Sequence, residues 1–274
     1  MYKKLISALN LLIIIVLIAW NGYANTGNFK GKTVGDLSAE YNNLFTPASY
    51  AFSIWGLIFL MLLAFGIYGV YIAFAKAKSL QPRGYRTNFI ITTFPYFLLA
   101  NIFCTIWVAL WLEEMIGASV LCMIGILVSL LICVKQLDME IWDAPLPIIA
   151  FVWWPLCLYT GWISVAIIAN VASYLNGMFD IPENQQILAT LALIVVATVI
   201  NLMMVWYRNM REYASVAIWA LVAIYVRHSG TMNDISYLAL GCAAVIFVNV
   251  CIHGYQNRAT NPMLKFKQWR ASKA

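Results

Sequence analysis

The sequence predicts an all-α protein, a polytopic membrane helix bundle with about eight transmembrane helices. The 274 residues are 63% hydrophobic and only 10% charged, with a mean hydropathy of +0.81. A soluble domain usually carries about a quarter charged residues, so too few polar side chains remain here to cover a water-facing surface. The apolar runs are each roughly 18 residues or more, which is the length of a membrane-spanning helix and not of a barrel strand.

The apolar segments follow one another along the chain. The first comes after Lys3 and Lys4, and we interpret it as an uncleaved helix and not a signal peptide, because it is long and ends in a tryptophan. The polar segment 21–44 shows no helix period and is predicted to be a loop structured against the outer mouth of the bundle. The predicted helices are 5–20, 47–75, 89–112, 116–134, 151–170, 187–206, 213–226 and 235–253.

The basic residues predict an orientation. Eight helices place both termini on one side, and a cytoplasmic location for them puts 14 of the 17 Lys and Arg residues inside, leaving only Lys30, Lys32 and Arg227 outside. The positive-inside rule therefore supports both the helix count and the orientation. We expect a multi-pass protein of the bacterial inner (plasma) membrane with both termini cytoplasmic. The short connection near Arg211 predicts an antiparallel hairpin of the sixth and seventh helices.

The fifth predicted helix carries three Trp, a Tyr, a Pro, a Gly and an Asn, a composition unlike that of a helix that only has to dissolve in lipid. Its helical spacing places several of these side chains on one stripe. This stripe is either a surface for packing against another helix or one wall of an aromatic pocket. Its members are Trp154, Leu158, Trp162, Ala166 and Asn170, with Tyr159 one turn below Trp162.

Ten of the 11 tryptophans divide into two groups by their place along the predicted helices, and Trp269 lies in the tail. Trp20, Trp111, Trp142 and Trp206 lie at helix ends, where an interfacial aromatic belt explains them. The deeper ones are either core residues or walls for flat, rigid hydrophobic ligands such as tetrapyrroles and sterols. This second group is Trp55, Trp107, Trp153, Trp154, Trp162 and Trp219.

Few residues suggest chemistry of another kind. The two histidines, His228 and His253, fall at opposite ends of the bundle and cannot bind one metal ion together. The six cysteines form no CxxC pair, and we interpret them as small apolar core residues. We therefore expect no catalytic residue, no metal ligand and no cofactor. The absence of Lys from the last two helices excludes a retinal Schiff base.

Four asparagines lie inside the second to eighth predicted spans. They either form hydrogen bonds between helices or, for Asn101 and Asn170, point a donor at a ligand. No charged residue lies at the centre of a span, which disfavours ion-driven transport. The four are Asn101, Asn170, Asn201 and Asn249.

Three segments share a pattern with a known family. In segment 45–59, Pro47 is followed by aromatic residues and Trp55, and in the third helix Asn101 is followed by Trp107. The fifth helix adds Pro155, Tyr159, Trp162, Val165, Ala166 and Asn170. In this order the segments resemble the TspO/MBR family, the tryptophan-rich sensory or translocator proteins. The resemblance covers residues 1–175 and leaves three helices, 176–255, and a basic cytoplasmic tail, 256–274, as additions.

The resemblance implies a five-helix bundle whose pocket is closed by the first loop and accepts porphyrins and other rigid hydrophobic molecules. It implies a sensory or regulatory role, and some members are described as promoting light-dependent porphyrin breakdown. The alternative that we retain is a transporter or channel for a small uncharged or hydrophobic solute. The residues that would bind the ligand are Tyr50, Trp55, Asn101, Trp107, Tyr159 and Trp162.

Partners follow from the same considerations. We expect the protein to contact membrane lipids and a hydrophobic, tetrapyrrole-like small molecule, and a homodimer is compatible with the family. We expect no nucleic acid partner, because the basic residues lie at helix ends and in the tail, where they set the topology.

Overall fold

The computed structural model describes residues 2–41, 43–75, 88–179 and 181–271, apart from the side chains of residues 268 and 269. The basic group predicted after the second helix, Lys76, Lys78, Arg83 and Arg86, lies outside these ranges. The described residues form no strand and ten helices, which confirms an all-α fold. These are α1 (Tyr2–Ala24), α2 (Val34–Glu40), α3 (Ile54–Phe74), α4 (Phe89–Leu112), α5 (Ile116–Gln136), α6 (Leu146–Phe179), α7 (Glu183–Arg208), α8 (Arg211–His228), α9 (Asn233–Gln256) and α10 (Pro262–Ala271).

Seven of these helices, namely α1, α3 to α7 and α9, are long and apolar enough to cross a membrane, so the protein is an integral multi-pass membrane protein. The seventh predicted span, α8, is not among the seven. Its 18 residues cover about 27 Å, close to the thickness of the hydrocarbon core. Arg211, Glu212 and Arg227 at its ends lower its hydropathy. Because α6, α7 and α9 pack around it, α8 does not need the apolar surface of a lipid-facing helix.

The helices pack as a ring with a three-helix addition. In the ring, α1 packs against α3 and α4, α5 packs between α4 and α6, and α6 closes back on α3. The remaining helices, α7 to α9, pack on one another, and α8 joins them to α6. As predicted, α7 and α8 form a hairpin, whose turn holds Asn209 at a φ of 57°. Asn tolerates this left-handed conformation better than most residues.

The contact between α6 and α8 depends on a residue without a side chain. A Cβ atom on Gly161 would lie 2.9 Å from the Tyr213 backbone oxygen and 3.2 Å from the Val216 Cβ. Small residues allow two membrane helices to approach this closely. Helix α8 also has small residues buried near this contact, Ala214 and Ala217.

Helix α6 is longer than the predicted span 151–170, and it begins irregularly. A π-helical turn, Ile149–Trp153, comes just before Pro155. A proline inside a regular helix lacks one hydrogen bond and its ring clashes with the preceding turn, so a widened turn there accommodates Pro155 without ending the helix.

The polar segment 21–44 contains a helix that the sequence analysis missed. Helix α2 begins at a capping box, in which the Thr33 hydroxyl accepts from the Asp36 N–H and the Asp36 carboxylate accepts from the Thr33 N–H. Hydrogen bonds from the Thr33 backbone N–H and hydroxyl to the carboxylate lower the pKa of Asp36. The Thr-x-x-acidic spacing was the available signal. The Trp111 indole N–H donates to the Val34 oxygen at 3.3 Å, so α2 does lie against the end of the bundle. We name this end the capped end.

Candidate ligand site

An enclosed cavity lies inside the ring at its capped end, and we name it the aromatic cavity. Its volume is about 30 Å³, enough for roughly one water molecule. None of its lining residues is charged. The lining residues are Val34, Ser38, Pro47, Phe52, Trp55, Trp107, Trp111, Met123, Trp162, Val165, Ala166, Ala169, Asn170 and Ser173.

The stripe predicted on α6 divides into two parts. Trp162, Ala166 and Asn170 line the aromatic cavity. At the other end of the stripe, the Trp154 indole N–H donates to the Glu212 carboxylate of α8 at 3.0 Å. Both interpretations of the stripe therefore hold, one for each half: a pocket wall toward the capped end and a helix-packing surface toward the opposite end.

Two of the indoles in the cavity have their polar edges occupied by the protein. The Trp107 N–H donates to Asn170 Oδ1 at 2.8 Å, and Asn170 also exchanges hydrogen bonds with the Ser119 hydroxyl. The Trp111 N–H is bound to the α2 backbone, and its ring stacks on Trp107 with the centroids 6.0 Å apart. These bonds fix the rings and leave their apolar faces for other contacts.

A larger cavity lies beside the first, between α1 and α3, and we name it the lateral cavity. Its volume of about 360 Å³ is in the lower part of the range for small-molecule sites. Four residues, Val34, Phe52, Trp55 and Trp107, line both cavities and form the wall between them. The others that line it are Ile18, Asn21, Gly22, Asn25 and Phe59.

The structure brings together three of the six residues predicted to bind a ligand. Trp55, Trp107 and Trp162 come from three helices of the ring and line the aromatic cavity. Phe52 packs edge-on against Trp162 with the ring centroids 5.9 Å apart. The cavity is therefore enclosed by aromatic faces from distant parts of the chain.

The other three predicted residues line neither cavity. Tyr159 is fully buried behind the wall, with its ring centroid 6.0 Å from that of Trp55. Tyr50 is 40% exposed and packs edge-on against Trp219 of α8. Asn101 is fully buried, and neither atom of its amide group has a hydrogen-bond partner among the described residues. A ligand role for these three stays a prediction.

Trp111 is the main cavity residue that the sequence analysis missed. Its place at the end of α4 suggested the interfacial belt, but it is 3% exposed and lines the cavity. The interpretation was wrong because α2 folds over it, which hydropathy does not register. A signal was present, since Trp107 and Trp111 are four residues apart and therefore share one face of the helix.

Residues 43–53, which we name the cap segment, close the cavity and are held by the end of α8. The Arg227 guanidinium donates to the Asn43 oxygen at 2.9 Å and to the Thr46 oxygen at 2.7 Å. The ring Nε2 of His228 lies 2.8 Å from the Leu44 oxygen. These contacts give hydrogen-bond partners to three backbone oxygens that lie outside any regular helix.

Two further hydrogen bonds tie the cap segment to the middle of α8. The Trp219 indole N–H donates to the Ala51 oxygen at 3.1 Å, and the Ala48 N–H donates to the Ala223 oxygen at 3.1 Å. The next residue after Ala51 is Phe52, part of the wall between the cavities. The position of that wall is therefore coupled to α8.

The fold and the cavities define a class: polytopic α-helical membrane proteins with a tryptophan-lined pocket inside the bundle. A family model described as TSPO-like protein matches residues 7–252. The chain belongs to this family. The match extends through the three helices that follow the ring. No curated protein and no solved structure matches the chain.

Proposed function

We propose that this TSPO-like membrane protein binds a tetrapyrrole or another rigid lipophilic molecule in the aromatic and lateral cavities, and that binding serves a sensory or regulatory role. The observation that carries the proposal is the wall of Trp55, Phe52 and Trp107, which presents aromatic surface to both cavities. Indole faces stack well on flat, apolar ring systems.

The lining chemistry restricts the ligand. None of the residues that line the two cavities carries a charge, and the amides of Asn21 and Asn25 lie on the α1 side of the lateral cavity. A ligand would place its flat apolar body against the indoles and its polar substituents toward these amides. A charged group in the interior would stay without a counter-ion, which is costly in a low-dielectric site.

Size imposes a conformational requirement. The aromatic cavity alone admits about one water molecule. A macrocycle would have to merge it with the lateral cavity, and rotation of Trp55 or displacement of Phe52 would achieve this because both side chains form the shared wall. The route between α1 and α3 would let a lipophilic ligand reach the site directly from the bilayer.

We further propose that residues 1–175 form the ligand-binding unit, that residues 176–255 form a supporting unit, and that residues 256–274 form a basic tail facing the cytoplasm. Support for the division comes from the ring of α1 and α3 to α6, to which α7 to α9 attach through α8. Arg227 and Trp219 of the supporting unit donate hydrogen bonds to the cap segment. We therefore propose that this unit holds the cap segment over the pocket.

The polar residues do not favour the transport alternative. Asn170 is engaged with Trp107 and Ser119, while the Nδ2 atoms of Asn201 and Asn249 donate to carbonyls of their own helices. These three serve local packing instead of lining a polar path. Asn101 is the exception, because its buried amide has no hydrogen-bond partner among the described residues. A ligand-binding role fits these contacts better.

Titration with protoporphyrin IX in the dark tests the proposal on detergent-solubilised, full-length protein. We expect saturable tryptophan quenching and a shift of the porphyrin Soret band. The double variant Trp55→Leu/Trp162→Leu removes one face from each side of the aromatic cavity and should abolish both signals. Each single replacement should weaken binding by about 1–3 kcal/mol, the usual contribution of one aromatic stacking partner.

Trp206→Leu is the matched control, because Trp206 lies on α7, 42% exposed and outside both cavities. It should bind porphyrin as the unmodified protein does. Gel filtration and thermal unfolding establish that the variants are folded, and Trp55→Phe provides a milder change if the double variant is unstable. Equal affinity in the double variant and the control, or no saturable binding at all, contradicts the proposal.

A further inference from the structure

A second group of functional side chains lies at the end of the bundle opposite the cap. Glu140 in the connection between α5 and α6, Cys157 on α6 and Glu212 on α8 each present one ligand atom, and the three atoms lie within 4.8 Å of one another. Cys157 is fully buried, and the two glutamates are partly buried. Three separate elements of the chain thus converge on one point.

The two glutamates of the group line a polar cavity of about 200 Å³, large enough for an ion and several water molecules. Oxygen Oε1 of Glu140 and oxygen Oε2 of Glu212 are buried and have no hydrogen-bond partner among the described residues. His253 lines the same cavity, is 3% exposed, and has a buried Nδ1 that likewise lacks a partner there. Buried groups of this kind usually have a partner, so these three atoms are available to bind a ligand in the cavity.

We propose that Glu140, Cys157 and Glu212 bind a divalent transition-metal ion, with Zn²⁺ the best match, and that a further coordination position faces the polar cavity. The donor set selects the metal. Mg²⁺ and Ca²⁺ bind through oxygen alone, whereas a thiolate with carboxylates suits borderline ions such as Zn²⁺ and Co²⁺. The proposal is independent of ligand binding at the capped end.

Charge balance supports this assignment. Two carboxylates and a thiolate this close can all stay ionised only with a cation between them; without one they take up protons, which a metal ion would displace. A divalent ion compensates two of the three negative charges, and the Arg211 guanidinium, which also lines the cavity, compensates the third. Lys265 also lines the cavity and adds positive charge near Glu140, although its ammonium group forms an ion pair with Asp143.

The proposed site gives Cys157 a role as a metal ligand, whereas the sequence alone indicates only a small apolar core residue. Cys157 lies four residues before Gly161, at the place where α6 and α8 approach closely. A metal ion there would join α6, α8 and the α5–α6 connection, the elements that link the five-helix ring to the three-helix addition.

Titration with Co²⁺ on chelator-treated, reduced, full-length protein tests the site, because thiolate coordination to Co²⁺ produces an intense near-ultraviolet charge-transfer band. We expect saturation at a single Co²⁺ per chain, displacement by Zn²⁺ and no displacement by a large excess of Mg²⁺. Cys157→Ser should abolish the band. Glu140→Gln and Glu212→Gln keep the side-chain shape and should each weaken binding about tenfold or more.

Cys251→Ser and Glu183→Gln are matched controls, since they change the same residue types at exposed positions outside the cluster. Both should leave the band and the affinity unchanged, and thermal unfolding in detergent identifies any variant that does not fold. A thiolate band that persists in Cys157→Ser, equal affinity in the glutamine variants, or no stoichiometric uptake of Co²⁺ by the folded protein overturns the proposal.

Discussion

Asn170 illustrates how a single polar side chain determines the shape of the aromatic cavity. Its Oδ1 accepts from Trp107 at 2.8 Å and its Nδ2 donates to the Ser119 hydroxyl at 3.0 Å, so three helices meet at one amide that is 2% exposed. The sequence analysis left two roles open for Asn170. The structure supports the interhelical role directly, and it also places the side chain in the cavity lining.

Replacing Asn170 with Ala should destabilise the protein by about 1–3 kcal/mol, because the Trp107 N–H would lose its partner in a buried site and the Ser119 hydroxyl would keep only its bond to the Ile116 oxygen. We expect a lower midpoint of thermal unfolding in detergent, and weaker porphyrin binding because Trp107 is no longer fixed.

Asn249→Ala is a suitable comparison, because Asn249 of α9 likewise accepts a hydrogen bond from an indole N–H. The donor is Trp206 near the end of α7, and this bond is exposed. Water at the membrane surface replaces that bond, so the loss should be smaller. A larger loss in Asn249→Ala than in Asn170→Ala contradicts this account of the amide.

Helical periodicity correctly predicts which residues share a face of one helix, but it does not predict which other element covers that face. It placed Trp162 and Asn170 on one face, and both line the cavity. It places Trp111 on the same face as Trp107, but it could not show that this end of α4 is covered, because the cover comes from α2, which lies about 70 residues earlier in the chain. A contact of this kind depends on the path of a loop, which residue spacing does not encode.

Helix α8 contacts both the five-helix ring and the other two helices of the three-helix addition. It is buried among α6, α7 and α9, contacts the cap segment, and carries one member of the proposed metal site. Gly161 is what permits α8 to approach α6. Two substitutions therefore test whether this docking supports the fold and the pocket.

Gly161→Ala should separate α6 from α8. The new methyl group would lie 2.9 Å from the Tyr213 backbone oxygen, which cannot move without the helix. Overpacking of this kind costs about 1–3 kcal/mol, so we expect a lower unfolding midpoint in detergent.

Gly177→Ala provides the control on the same helix, because a Cβ atom there meets nothing within 4 Å. That substitution should leave stability unchanged or raise it by up to about 1 kcal/mol, since Ala is the better helix former. Equal destabilisation by the two substitutions means that the α6–α8 contact is not close-packed.

Arg227→Gln should loosen the cap segment, because the two carbonyls that Arg227 binds would lose a charged donor. We expect faster hydrogen exchange in peptides covering residues 43–53, measured by mass spectrometry on the detergent-solubilised protein. Arg258→Gln, whose guanidinium bonds only the nearby Tyr255 oxygen among the hydrogen bonds described, should leave those peptides unchanged. Unchanged exchange in Arg227→Gln would show that the cap segment is held by its other bonds.

The identity of the long helices could be predicted because hydropathy reports contact with lipid. Helices α3 and α5 are apolar on all sides, and the predicted span of α5 lies close to the observed one. The predicted start of α3 at residue 47 was wrong, because residues 47–53 belong to the cap segment and α3 begins at Ile54. Helix α8 is the exception, since neighbouring helices cover most of it and its sequence no longer needs to resemble that of a lipid-facing helix. Helix α2 was missed because a seven-residue helix outside the membrane leaves only its capping box as a signal.

At the scale of the whole molecule, the two candidate sites lie at opposite ends of one bundle. The aromatic cavity lies under the cap segment, and the polar cavity with Glu140 lies where the α5–α6 connection, the α7–α8 turn and α10 meet. The orientation proposed from the basic residues puts the aromatic cavity near the outer surface and the polar cavity near the cytoplasm. This arrangement requires α8 to cross the membrane, because seven crossings would place the two termini on opposite sides.

Cysteine labelling in intact bacterial cells tests this topology at two exposed positions. Thr231 lies in the turn between α8 and α9, and Gln136 lies at the end of α5. If α8 crosses the membrane and both termini are cytoplasmic, a membrane-impermeant maleimide should label Thr231→Cys in intact cells and Gln136→Cys only after the membrane is permeabilised. The unmodified protein, whose Cys251 is exposed and Cys242 half-buried, gives the background. Labelling of both positions from the same side would mean that α8 does not cross, and labelling of Gln136→Cys alone in intact cells would reverse the orientation and place the aromatic cavity toward the cytoplasm.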